Sequence, residues 1–148
     1  KGYLEFRDRS RKKKEWIDSE RLKKLFAEEA SCSLRLVVFS ACNSSRTAEK
    51  NLFAGVAQAT LLAGIPSVIA MQLPIDPFDS PIFMFDFYRH LGETGNIRDA
   101  VSAGRNRLYI VPKTSKESWY IPSMYLRSKD GTGQLLKIEE KEKSANVS

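Results

Sequence analysis

Apolar and polar positions alternate along Tyr3-Leu4-Glu5-Phe6, the period-two pattern of a half-buried strand, and the chain then enters the charged run Arg7 to Lys14. Trp16-Ile17 leads to Asp18-Ser19, residues that favour a helix N-terminus, and Leu22, Leu25 and Phe26 then share one helix face that predicts a helix ending near Ala30. Leu34-Arg35-Leu36-Val37-Val38-Phe39 is short and nearly all apolar, which predicts a central strand covered on both faces. Beyond Ser40 to Ser45 the period becomes helical through Leu52, Phe53, Val56, Ala57 and Leu61, stopping at Gly64, and Pro66 to Met71 reads as the next buried strand. Strand, helix and strand over this length form a βαβ unit with a right-handed crossover.

A Pro-rich loop from Gln72 to Pro81 follows, then an aromatic-rich helix from Ile82 to Leu91 that the pattern ends at Gly92. Phe83, Phe85, Phe87 and Tyr88 are expected to pack in the core. A second helix is predicted from Ile97 to about Leu108, with Ala100, Val101 and Gly104 marking close packing. Trp119 to Leu126 reads as a last strand, with Pro122 pointing to an edge or a bulge. The expected organisation is one domain over residues 1–136 and a polar, disordered tail over 137–148. There is no internal repeat. The fold class expected is α/β, with a mostly parallel sheet covered by helices on both faces.

Composition fits that picture, since 148 residues with 42% hydrophobic and 28% charged are ordinary for one compact domain. A domain of this size holds a core without disulfides or structural metal. Two cysteines, Cys32 and Cys42, are too few for a disulfide scaffold, and one histidine leaves no Cys/His zinc set, so a reducing, cytoplasmic setting is expected. The apolar stretch Asn51 to Leu73 is interrupted by Gly55, Gln58, Thr60, Gly64 and Pro66, and no membrane span is expected. The chain lacks an initial Met and opens almost at once on a strand, the pattern of a piece of a longer polypeptide. The net charge of +6 is concentrated in Arg7 to Lys14. That run reads as a solvated loop or, alternatively, as a nucleic-acid contact through Arg9 to Lys14, although it carries no interleaved aromatic.

In an open α/β sheet, reactive groups collect beyond the carboxyl ends of the strands. Cys42 falls there, just after Phe39 and ahead of a helix whose N-terminal dipole favours thiolate. Ser40, Ala41, Asn43, Ser44 and Ser45 around it are small and polar, leaving room for a substrate backbone and offering N–H groups to an oxyanion. A small buried hydrophobe is the competing reading of Cys42, and Cys32 reads as structural.

The stretch Leu36 to Ser44, with Gly55, Leu62 to Ala70, Pro74-Ile75-Asp76 and Phe83 to Tyr88, resembles the CHAT domain of the caspase and separase-like cysteine peptidases. Outside it, Tyr3 to Phe6 resembles the strand that follows the family's His-Gly motif, Ile17 to Leu25 the next helix, and Trp119 to Arg127 with Asp130-Gly131 the closing strand. The resemblance implies a caspase-like three-layer sandwich and a cysteine endopeptidase acting on a protein substrate, with Cys42 as the nucleophile that forms a thioester acyl-enzyme. It also implies a general-base histidine before Tyr3, which no residue here matches. His90 follows Cys42 and reads as a helix-end residue. Either the histidine lies upstream of Lys1, or the protein is a catalytically inactive interaction module. Without the base this chain alone is expected to be a poor catalyst.

The loop after the second βαβ strand shapes the pocket for the residue before the scissile bond in the peptidases the chain resembles. Asp76 and Asp79 lie in it as candidate substrate-binding carboxylates for Arg or Lys. The alternative for both is a turn or helix cap, Asp79-Ser80-Pro81 being a plausible N-terminal signal. Upstream regulatory or helical-repeat domains of the same parent protein are the partners the resemblance implies. No cofactor or metal is called for, although some caspase-like relatives use calcium.

Overall fold

The computed structural model describes residues 3–7, 14–30, 34–40, 52–127 and 131–138. Two strands, β1 (Tyr3–Arg7) and β2 (Lys14–Asp18), form an antiparallel hairpin in which Tyr3 faces Asp18 and Arg7 faces Lys14. Strand β2 is a departure from the expected direct entry into a helix. Asp18 closes it and starts α1 (Ser19–Ala30), its Oδ1 accepting the Arg21 N–H at 2.8 Å, which satisfies one of the helix's free donors.

Strand β3 (Leu36–Phe39), α2 (Leu52–Leu62) and β4 (Ser67–Met71) follow, with β3 and β4 parallel and Leu36 opposite Ser67. Gly64 turns the chain out of α2 with φ of 103°, a backbone region that suits glycine. Two long helices come next, α3 (Asp79–Thr94) and α4 (Ile97–Ile110), then a 3₁₀ turn at Ser118–Tyr120 and β5 (Pro122–Leu126). Helix α3 runs through Gly92 and ends two residues later, where Gly95 takes φ of 68° and its N–H bonds back to the Leu91 carbonyl.

Among the described residues the sheet departs from expectation in two ways. Its order is β3-β4-β5, so β4, buried along its whole length, is the centre of the described sheet, while β3 has one neighbour among these residues and is half-buried. The sheet is also mixed and not mostly parallel, because β5 pairs antiparallel with β4, Ser67 opposite Leu126 and Met71 opposite Pro122. The cause is the number of helices between them. One helix carries the chain back across the sheet, but two return it to the end where β4 stopped, and the Gln72 N–H reaches the Ile121 carbonyl there at 2.9 Å. Pro122 opens this edge strand, where its missing N–H costs no ladder bond.

Alternate residues of β4 serve two cores. Val68 and Ala70 pack with Leu22 and Phe26 of α1 and with Val56, Ala57 and Leu61 of α2. Ile69 and Met71 pack with Phe83, Phe87 and Leu91 of α3 and Ile97, Ala100, Val101 and Leu108 of α4. Helices therefore back both faces of the strand. Of the aromatic row in α3, Phe83 and Phe87 are buried and stacked with ring centroids 5.7 Å apart, whereas Phe85 and Tyr88 are exposed, since residues two apart cannot share one helix face. Asp86, itself buried, joins the two helices, its Oδ1 receiving the Arg89 guanidinium at 2.7 Å and its Oδ2 lying 3.3 Å from Arg107 Nε. The hydrogen bond to Asp86, ahead of its other contacts, raises the Arg89 pKa.

The segment 131–136 closes over the α3–α4 turn. Asn96 caps α4 by accepting the Arg98 N–H at 2.9 Å, and its side-chain amide donates to the Thr132 carbonyl. Leu135 reaches the larger core, and its N–H bonds to Gly95.

Candidate active site

The carboxyl ends of β3 and β4 lie side by side, Phe39 opposite Ala70. Cys42, three positions after Phe39, falls outside the described residues, and so does Cys32. Among the described residues the candidate site is represented by the loop from Gln72 to the start of α3, which the resemblance makes one wall of the substrate pocket.

That loop holds Asp76 and Asp79 in different settings. Asp76 is exposed. Its Oδ1 accepts the Phe78 N–H at 2.7 Å and its carbonyl accepts the Asp79 and Ser80 N–H groups at 3.0 and 3.1 Å, so this residue turns the chain into α3. Asp79 is the first residue of α3 and is buried, with 1% exposure. It makes no capping bond to α3. Its Oδ2 instead accepts the Ser115 N–H at 3.1 Å and the Ser118 hydroxyl, which fastens the approach to β5 onto the start of the helix. Ile75, buried just ahead of Asp76, anchors the loop to the core. The two carboxylates thus do not converge: one faces solvent, the other is committed to the fold.

His90 stands eleven positions beyond Asp79 on the same helix, about 16 Å along its axis. Its Nδ1 lies 3.1 Å from the Asp86 carbonyl, a contact in which the ring nitrogen is the donor because a carbonyl only accepts. The histidine is thus turned to its own helix, away from the carboxyl end of β4.

Sequence reasoning missed Ser115 and Ser118, which lie far from Asp79 in the chain, and no local signal marks them. Among the described residues no group of three His, Cys, Asp or Glu side chains is placed to hold a metal ion. No helix among them is long and apolar enough to cross a membrane.

A family profile for the CHAT domain matches residues 1–141. The chain belongs to the CHAT domain family, a caspase-like, peptidase-related group. No curated protein matches it closely enough to serve as a relative.

Proposed function

We propose that the chain is the nucleophile-bearing part of a caspase-like CHAT cysteine endopeptidase, with the upstream portion of the same parent protein completing a three-layer sandwich. One observation carries this reading: within a chain matched to the CHAT domain over residues 1–141, Cys42 comes three positions after the carboxyl end of a strand that runs parallel to the sheet's central strand. That is where an α/β sheet presents a nucleophile.

In this mechanism the Cys42 thiolate attacks the scissile carbonyl carbon, the tetrahedral oxyanion is held by backbone N–H groups following β3, and the amine leaves with a proton from the general-base histidine. Water then cleaves the thioester. The histidine comes from sequence upstream of Lys1, because His90 faces its own helix. Asp76, the exposed carboxylate, meets an Arg or Lys side chain of the substrate, and Asp79 holds the floor of that wall through Ser115 and Ser118. Upstream regulatory or helical-repeat domains control access, and the protein acts in the cytoplasm.

The test is covalent labelling of the polypeptide that includes the upstream sequence, using an acyloxymethyl ketone with Arg before the warhead and a leucine analogue beside it. The expected result is an adduct on Cys42 that is lost in Cys42→Ala. No adduct with either probe, with the upstream segment present, favours a catalytically inactive interaction module.

A further inference from the structure

A cleft of about 460 Å³ runs between α4 and β5. Arg98, Ser102 and Arg105 line it from one face of α4, with the spacing of successive helical turns, and Ser123 and Met124 line it from β5, with Gln72 beside them. Arg105 is held in place, donating through Nε and Nη2 to the Pro122 carbonyl at 3.1 and 2.5 Å. Among the described residues, neither Arg98 nor Arg105 forms a salt bridge. Burial lowers the Arg105 pKa from its ordinary value, and no carboxylate among the described residues offsets it.

The backbone of β5 presents a second set of groups to the same side. Ile121 and Arg127 both turn their hydrogen-bonding groups toward β4, through Gln72 N–H to Ile121 O and Arg127 N–H to Pro66 O. In an antiparallel pair every second residue does so. The odd-numbered positions of β5 therefore face β4, and Pro122, Met124 and Leu126 face outward. Arg105 takes the Pro122 carbonyl, and the N–H and C=O of Met124 point to the outer edge, with which no strand pairs among the described residues.

We propose that this edge is a docking groove for an extended acidic segment of a partner protein, its backbone pairing with Met124 of β5 and its carboxylates meeting Arg98 and Arg105. Main-chain pairing supplies affinity that is independent of side chains, and the two guanidiniums select for negative charge. Charge also decides against a second copy of this chain. Two copies, each with a net charge of +6 and each presenting Arg98 and Arg105 at this edge, bring like charges together. An acidic strand has the opposite complement.

The experiment measures fluorescence polarisation of labelled peptides alternating Val and Glu against the 148-residue chain, with a Val and Lys peptide and a backbone N-methylated Val and Glu peptide as controls. The acidic peptide is expected to bind at least tenfold tighter than either control and to weaken as salt rises. Ser102→Glu, at an exposed position, places a carboxylate in the cleft and is expected to weaken binding at least tenfold with unchanged thermal stability. Arg98→Gln is expected to act in the same direction. Equal binding of acidic and basic peptides, or indifference to both substitutions, overturns the proposal. So does a dimer in sedimentation that Ser102→Glu dissociates. None of these readouts uses Cys42, so failure here leaves the peptidase reading standing, and the converse holds.

Discussion

Gly104 of α4 lies against Phe83 of α3 so closely that a methyl group at Gly104 would stand 2.7 Å from the Phe83 ring and 3.0 Å from its carbonyl oxygen. The ring has no room to yield, since Phe83 is fully buried and stacked on Phe87. Helix propensity favours alanine over glycine by about 1 kcal/mol, whereas overpacking a closed core costs about 1–3 kcal/mol. Packing wins, and Gly104→Ala is expected to lower stability in urea denaturation. Gly92→Ala is the contrasting case: a methyl there meets nothing within 4 Å, so the propensity gain of up to about 1 kcal/mol is expected to appear as higher stability.

The two loop aspartates are expected to separate in the same assay. Asp79→Ala strips the Ser115 N–H and the buried Ser118 hydroxyl of their acceptor, a loss on the order of 2 kcal/mol, most of it at the buried hydroxyl. Asp76→Asn keeps an oxygen for the Phe78 N–H and is expected to leave the melting temperature nearly unchanged. In the labelling assay it should instead reduce the preference for an Arg probe over a Leu probe. A melting loss in Asp76→Asn as large as that in Asp79→Ala contradicts the division of roles.

Gly95 joins two conditions that alanine cannot meet. Its φ is +68°, and a methyl group would come within 2.2 Å of the Leu136 carbonyl oxygen. The left-handed backbone alone costs a non-glycine residue about 1–2 kcal/mol. Hydrogen exchange of Gly95→Ala is expected to speed up first at the Leu135 and Leu136 amides, which bond to the Gly95 carbonyl. Exchange that rises uniformly along the chain would argue against local release.

Cysteine and histidine variants divide by the same logic. Cys42→Ala is expected to abolish probe labelling, while Cys32→Ser and His90→Gln leave its rate within about twofold of the parent. A tenfold fall in His90→Gln would place that imidazole in proton transfer and overturn its assignment as a helix residue.

Much of this was readable along the chain, and the exceptions share a cause. The β3–α2–β4 unit announces itself because each piece carries its own period and Gly64 stops the helix. Strand β2 does not, since Lys14, Glu15 and Asp18 give it three charges in five residues and its extended state depends on pairing with β1. The direction of β5 is not a local property at all; it follows from the pair of helices before it. Asp79 offers a cap-like signal in Asp79-Ser80-Pro81, but its bonds go to Ser115 and Ser118, whose placement only the folded chain decides. The same holds for Arg98 and Arg105, whose spacing marks one helix face but not the strand opposite.

The two-sided use of β4 makes its register intolerant of a single missing residue. Val68 and Ala70 are the smaller side chains on the α1–α2 side, and Ile69 and Met71 the larger ones on the α3–α4 side. Deleting one residue ahead of Val68 exchanges the two sets, crowding one side with an isoleucine and a methionine and leaving hollows on the other. No repacking confined to one layer relieves both faults. Each pair of helices can be redesigned against its own face of the strand, but β4 itself answers to both neighbours at once.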